Sequence, residues 1–258
     1  MPRNSFSLNN VPAFFQGNLS TAVALGLIPG WRRYRKFGMN PSCDTGTEDV
    51  WAAGGTRAIV ATAGTVSVVS DSVADDVGST GATSITIEGL DSTYTEISET
   101  VALDGTTPVV TTASFFRIHR AYIASAGTGR TNAGNITFTL DGGTQAYIEA
   151  TEGQTHITQY TVPADHTLLV THVILTTGRQ STSTDLQTQY MIMYGGVSSS
   201  NAWRAAKDLF LYNTTLVSSE ATLVVPEKSE TRWRVIANTN SNQVSAETIG
   251  YLINNNFL

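Results

Sequence analysis

From about Trp51 to the C-terminus, polar and apolar side chains alternate with a period of two, and this constrains the fold more than any other feature of the chain. Thr83-Ser84-Ile85-Thr86-Ile87-Glu88 and Ile136-Thr137-Phe138-Thr139-Leu140 are the clearest cases. Successive side chains of a strand point to opposite faces, so each run buries one face and wets the other. Runs of similar character occur at 57–62, 66–70, 94–103, 115–124, 146–150, 156–162, 167–175, 188–193, 208–212, 221–225, 231–237 and 247–253. Their β-branched content suits a pleated, half-buried surface. Between the runs, Asp104-Gly105, Asp141-Gly142-Gly143 and Gly195-Gly196 supply residues that accept positive φ. Pro163-Ala164-Asp165 and Pro226-Glu227-Lys228-Ser229 read as turns leading into apolar strands. Beyond residue 50 the only helical signal is one or two turns at 201–208. Many short strands without intervening helices predict an all-β fold, an antiparallel β-sandwich of jelly-roll-like character. The Gly/Thr-rich stretch 125–135 and the Ser-rich stretch 178–184 read as long loops of one sandwich, because the strands on either side look alike.

The first fifty residues lack this alternation. Thr21 to Leu27 can form about two helical turns, which Pro29-Gly30 would stop. Trp31-Arg32-Arg33-Tyr34-Arg35-Lys36-Phe37 then interleaves aromatic and basic residues, and Gly38 to Gly46 is dense in turn formers. So much irregular sequence predicts an N-terminal arm over 1–50 that docks on a partner, followed by a β-sandwich domain over 51–258.

Charge divides along the same line. Arg3, Arg32, Arg33, Arg35 and Lys36 are the only charged residues among the first forty, so all 21 acidic groups lie beyond them. Charged residues make up 14% of the chain, against roughly 25% in a typical soluble domain. That excludes charge-driven disorder and a charge-laced coiled coil. Cys43 is the only cysteine, which excludes an intrachain disulfide. The apolar stretch Ala22–Ile28 is too short to span a bilayer. Arg3 followed by Asn4, Ser7, Asn9, Asn10 and Gln16 does not read as an export signal.

Few residues suggest chemistry. His119, His156, His166 and His172 lack the spacing of a zinc site. Asp75-Asp76 has the oxygen donors that calcium takes from loops, without the EF-hand spacing, and a solvated loop is the plainer reading. Glu96 and Glu99, three apart in one expected strand, point to opposite faces and cannot form a glycosidase pair. Cys43 has no histidine near it in sequence, so a catalytic thiol is not expected. Among the tryptophans Trp51, Trp203 and Trp233, the last lies between Arg232 and Arg234 in a strand and is expected in the core. Trp203 is the candidate for an exposed ring that contacts a ligand.

The patch Trp31, Arg32, Arg33, Tyr34, Arg35, Lys36 and Phe37 is the expected partner-docking site. Its aromatics are spaced by three, which on a helix would form one stripe. Cations and aromatics together suit an acidic protein rim. One short basic patch on an acidic chain is a weak signal for nucleic acid, and direct nucleic-acid contact is not expected.

Several segments carry a family resemblance: Lys36-Phe37-Gly38-Met39-Asn40-Pro41-Ser42, Thr45 to Gly55, Ile87 to Val101, Leu103 to Val109, Thr131-Asn132-Ala133-Gly134-Asn135-Ile136 and Tyr160-Thr161-Val162-Pro163-Ala164. In order and spacing the set resembles a family of virion structural proteins of tailed bacteriophages, common in phages of aquatic bacteria. The resemblance covers roughly 36–258 and is densest from 36 to 175. It implies a β-rich accessory protein of the particle, placed as decoration, fibre or tail-associated component, and it brings no catalytic residues with it.

The expected function is therefore structural: a capsid decoration or cement protein, or a head-fibre-type protein, docked through its arm. The alternative is a tail- or fibre-associated module that binds a receptor or glycan. No enzymatic activity, cofactor, metal or membrane is expected. The expected partners are the major capsid protein or other virion proteins, together with further copies in a homo-oligomer, a trimer. The expected location is the virion, assembled in the host cytoplasm. Deleting residues 1–37 is expected to abolish incorporation into particles while leaving the sandwich folded.

Overall fold

The structure, a computed structural model, describes residues 18–178, 185–195, 202–212 and 216–258. Among the described residues are one short α-helix, α1 (Leu19–Ala24), and sixteen strands. These are β1 (Trp31–Cys43), β2 (Gly46–Asp49), β3 (Ser67–Ser70), β4 (Ala82–Leu90), β5 (Glu96–Ala102), β6 (Val109–Val110), β7 (Arg117–Ala126), β8 (Ile136–Leu140), β9 (Gly143–Ile148), β10 (Tyr160–Thr161), β11 (His166–Gly178), β12 (Asp185–Met193), β13 (Arg204–Tyr212), β14 (Leu216–Val225), β15 (Glu230–Ala237) and β16 (Asn242–Asn254). A 3₁₀ turn, Asn255–Phe257, ends the chain. The paired strands are antiparallel, so the all-β sandwich class holds.

There are two sandwiches where one was expected. The outer one packs the sheet β1-β16-β11-β14 against the sheet β10-β15-β12-β13, with β2 also on β15. The inner one packs β6-β3-β8-β9 against β5-β4-β7. Each pair of sheets has its own buried cluster: Leu168, Val173, Tyr190, Trp233 and Val244 in the outer, Val68, Ile85, Phe115, Ile136 and Phe138 in the inner. The chain leaves the outer sandwich after β2, builds the inner one and returns at β10. The breaks in the architecture thus fall near 50–66 and 149–159. The 125–135 stretch, read as a loop, is one: it ends β7 and leads to β8, while most of the Ser-rich stretch, 179–184, lies outside the described residues. The run at 57–62 forms no strand, and 204–208, offered as helical turns, belongs to β13.

The irregular arm is corrected as well. Residues 31–43 form the edge strand β1, paired with β16 from Trp31↔Ile253 to Cys43↔Asn242, with a register shift between Asn40 and Cys43. Pro41 sits at that shift, where a missing N–H costs no ladder bond. Gly38 lets β1 pass close to the segment that leads into β10, for a Cβ there would meet the Thr158 N at 2.7 Å.

Strand β16 shows how the layers fix burial. Asn242, Val244, Ala246, Thr248 and Gly250 are buried, and the residues between them are half-buried. The alternation fails at Tyr251 and Ile253, whose face would otherwise meet water, because Ala22, Val23 and Ile28 cover it. Helix α1 is held there by its Asn18 cap, which accepts from the Thr21 N–H at 3.1 Å, and by a 2.6 Å Ser20–Tyr251 hydroxyl contact. Each fully buried Val or Ile stabilises the fold by roughly 1.5–3 kcal/mol, which fastens a helix too short to persist alone.

Candidate docking cleft

On a strand, residues three apart fall on opposite faces, so β1 splits the predicted aromatic stripe. Tyr34 points inward and is buried, its ring edge-on to Tyr160 at 4.8 Å. Tyr34 is therefore a core residue. Trp31 and Phe37 are half-buried on the other face, Trp31 against Tyr251 at 5.8 Å and Phe37 beside His156 at 5.7 Å. The aromatics hold β1 in place; Arg32, Arg33 and Arg35 stay exposed, and Lys36 is half-buried.

Those cations rim a cleft of about 490 Å³ between the edge strand β1 and the inner sandwich. Arg32, Arg33, Arg35 and Lys36 form one wall. Strands β4, β5 and β7 supply Glu88, Glu96, His119 and Arg120 to the other. Arg32 reaches across to Glu96 at 2.6 Å, and Arg35 pairs with Glu247 on β16. Arg33 is exposed. The Lys36 ammonium donates to the His119 carbonyl. Burial, reinforced by Arg57 and Arg120, pushes the Lys36 pKa down to about 7. The His119 imidazole is held well below its usual range by burial and by Lys36 and Arg57, so it is neutral, and its Nε2 accepts from the Thr161 N–H at 3.2 Å. Exposed ion pairs such as Arg32–Glu96 contribute roughly 0.2–1 kcal/mol, little enough for a ligand carboxylate to displace.

Behind the cleft, the two sandwiches share a buried charged layer that the sequence reading missed. Arg117 donates to Glu230 at 2.6 Å and to the Val60 and Phe116 carbonyls, with its guanidinium 3.9 Å from the Phe116 ring. Glu230 also accepts from the Thr161 hydroxyl. Arg232 pairs with Asp49 at 3.1 Å, and Asp49 accepts from the Arg57 N–H at 2.9 Å. Burial raises the Asp49 pKa and lowers that of Arg232, each opposed by the other's charge. The available signal was Glu230-Thr231-Arg232, charges set in an apolar strand beside Trp233.

The remaining candidates separate in space. Trp203 is half-buried with the Arg232 guanidinium 4.0 Å from its ring, so its face packs on the charged layer and is not free for a ligand. Trp51 is buried, its Nε1–H on the Gly55 carbonyl. Trp233 is wholly buried in the core, as expected, and donates to the Thr248 hydroxyl at 2.9 Å. His166 Nδ1 lies 2.8 Å from the Ala164 carbonyl, His172 Nε2 lies 2.6 Å from the Ser218 hydroxyl, and His156 is 3.6 Å from Glu152. Among the described residues no three His, Cys, Asp or Glu side chains gather as metal ligands. Cys43 is buried and its thiol is pushed up to about 12, chiefly by burial. Glu99 accepts from the Thr112 and Ala113 N–H groups and Glu96 belongs to Arg32. No described helix is long and apolar enough to cross a membrane.

Asp75 is not a solvated loop residue. It is fully buried and accepts four hydrogen bonds: from the Ser70 hydroxyl and Gly134 N–H on one oxygen, and from the Ala82 and Ala133 N–H groups on the other. It ties the 71–81 loop to the 131–135 loop. Asp75→Ala leaves those donors without their acceptor and is expected to lower the unfolding free energy by about 3 kcal/mol. A urea titration showing a loss below about 1 kcal/mol would contradict that role.

No protein-family model matches this chain, and no curated protein matches it. Among solved structures it is similar to infectious bursal disease virus, Gt strain, at 10% identity and a TM-score of 0.26, over 88% of this chain and 74% of that one. It is also similar to T=1 particles derived from infectious bursal virus, at 11% identity and a TM-score of 0.28, over 87% and 70%. Likeness at this level carries no weight for fold or role.

Proposed function

We propose that this chain is a structural component of a tailed-phage particle, a capsid decoration or head-fibre-type protein that docks through the basic edge of β1 on an acidic surface of the capsid. The observation that carries this reading is the cleft. Arg32, Arg33, Arg35 and Lys36, joined by Arg120, line an opening between β1 and the inner sandwich, with Glu88 and Glu96 as its acidic lining. Such an arrangement suits electrostatic recognition of a protein surface rather than turnover. The resemblance of segments 36–175 to tailed-phage virion proteins supports the same reading. The glycan-binding alternative loses its main residue, since the Trp203 ring packs on Arg232. The proposal includes self-association as a trimer. It draws on Phe210 and Val224, 71% and 61% exposed on the edge strands β13 and β14, where a neighbouring copy would cover them.

Electron cryo-microscopy of the intact particle tests this reading. The expected result is paired-sandwich density on the outer surface in groups of three, with β1 toward the capsid. Absence of the chain from purified particles by mass spectrometry would overturn it.

A further inference from the structure

The docking cleft runs along an open strand edge. Strand β1 ends its sheet, and among the described residues it pairs only with β16. In an antiparallel pair, a residue turns both its N–H and its C=O toward the partner strand or both away from it, and successive residues alternate. The Asn254 N–H donates to the Gly30 carbonyl at 2.8 Å, and the register runs unshifted from Trp31↔Ile253 to Asn40↔Val244. Arg32, Tyr34 and Lys36 share the phase of Gly30 and bond to β16. Arg33 and Arg35 turn their N–H and C=O the other way, toward the open edge. The Trp31 N–H has that same phase, and it leaves the sheet to donate to the Ile28 carbonyl at 3.3 Å. Among the described residues, no such partner meets the backbone of Arg33 or Arg35.

The cleft lies on this edge. Every residue from Arg32 to Lys36 lines it, whereas an opening over one face of a strand would be lined by every second residue. Charge decides what the edge admits. Arg32, Arg33, Arg35 and Arg120 outnumber Glu88, Glu96 and the Glu247 that pairs with Arg35, even before Lys36 is counted. A second copy of the same edge would set like charges opposite each other, which is how charged edges keep sheets apart. An acidic strand meets no such barrier.

We propose that the free edge of β1 takes an extended acidic segment of a partner virion protein as an added strand, bonded through its backbone to Arg33 and Arg35, with its carboxylates among the cleft arginines. This rests on the docking role proposed above and specifies the chemistry of the partner.

The test uses the full chain and a fluorescein-labelled octapeptide of alternating glutamate and threonine. Anisotropy at low salt is expected to show saturable binding, and a peptide with lysine in place of glutamate is expected to show none. Amide hydrogen exchange followed by NMR reads the backbone. Exchange at Arg33 and Arg35 should be fast in the free chain and slow by at least tenfold, roughly, when the peptide is bound, while Tyr34 and Lys36 stay slow throughout. Arg35→Gln removes the charge and keeps the N–H. Arg35→Pro removes both without breaking a bond to β16, as proline does at a strand edge. The proline variant should bind roughly tenfold more weakly than the glutamine variant. Should Arg35→Pro fail to fold, the exchange measurement on the parent chain decides. Bound peptide with Arg33 and Arg35 still exchanging freely would overturn strand addition, and so would absence of binding or equal binding by the lysine peptide. None of these results bears on whether the chain is present in particles, which tests the docking role by itself.

Discussion

Replacing Glu230 with glutamine is expected to lower the unfolding free energy by about 4 kcal/mol, within the usual range for breaking a buried ion pair. The Arg117–Glu230 pair is 2.6 Å long, with its side chains 3% and 7% exposed. The substitution leaves the Arg117 guanidinium buried without its carboxylate, and it turns an amide toward the Thr161 hydroxyl that now donates to Glu230. The size of the loss comes from that stranded charge and not from a large net gain in the intact pair. The double variant Arg117→Met/Glu230→Leu should therefore recover most of the stability, because apolar side chains of similar volume replace both charges. Urea denaturation of the two single variants and the double variant decides the matter. A single-variant loss under about 1 kcal/mol, or a double variant as unstable as the sum of the singles, would show that the pair is not the joint between the sandwiches. The consequence reaches function through geometry. Arg117 belongs to the inner sandwich and Glu230 to the outer, so the pair helps hold the two walls of the cleft at their separation.

Local pattern revealed the strands wherever one face met a core and the other met water. The run at 136–140 is strand β8 residue for residue, and the run at 83–88 lies inside β4. Where both faces are covered, the pattern disappears. Strand β1 has α1 over part of one face and the inner sandwich against the other, so Arg32, Tyr34 and Lys36 share a face that is neither dry nor fully wet. A period-two reading finds nothing there, and the aromatic spacing of three suggested a helix instead. The nesting of one sandwich inside another was hidden for a different reason. Both sandwiches use the same Thr- and Val-rich strand chemistry, and composition does not say that β2 pairs with β15 while β3 pairs with β8. The buried ion pairs were out of reach because their partners lie 113 and 183 residues apart. One wall of the cleft was legible, since Arg32, Arg33, Arg35 and Lys36 stand together in the sequence and line it. The facing wall, with Arg120, Glu88 and His119, came only from the topology.

Reversing the charge of Arg32, Arg33 and Arg35 to glutamate is expected to weaken attachment to the particle by roughly 100-fold at low ionic strength, at about 1 kcal/mol for each position. The deletion of residues 1–37 cannot serve as this test. It would remove α1 and the first half of β1, and so expose the face of Tyr251 and Ile253 that α1 covers. The triple substitution spares the fold. Of the ion pairs it breaks, Arg32–Glu96 has both side chains exposed, 49% and 43%, and in Arg35–Glu247 the arginine is 63% exposed and the glutamate 19%. Stability should therefore change little, and a thermal midpoint close to the parent's makes the binding result readable. Salt supplies a second readout, because exposed charges are screened beyond roughly 8 Å at physiological ionic strength. Attachment of the parent chain should fall steeply as salt rises, while the variant should be weak and nearly insensitive throughout. Co-sedimentation of labelled protein with particles lacking this chain measures both. Equal attachment of parent and variant across the salt series would remove the basic edge of β1 from the docking surface and move the search to the apolar strands β13 and β14.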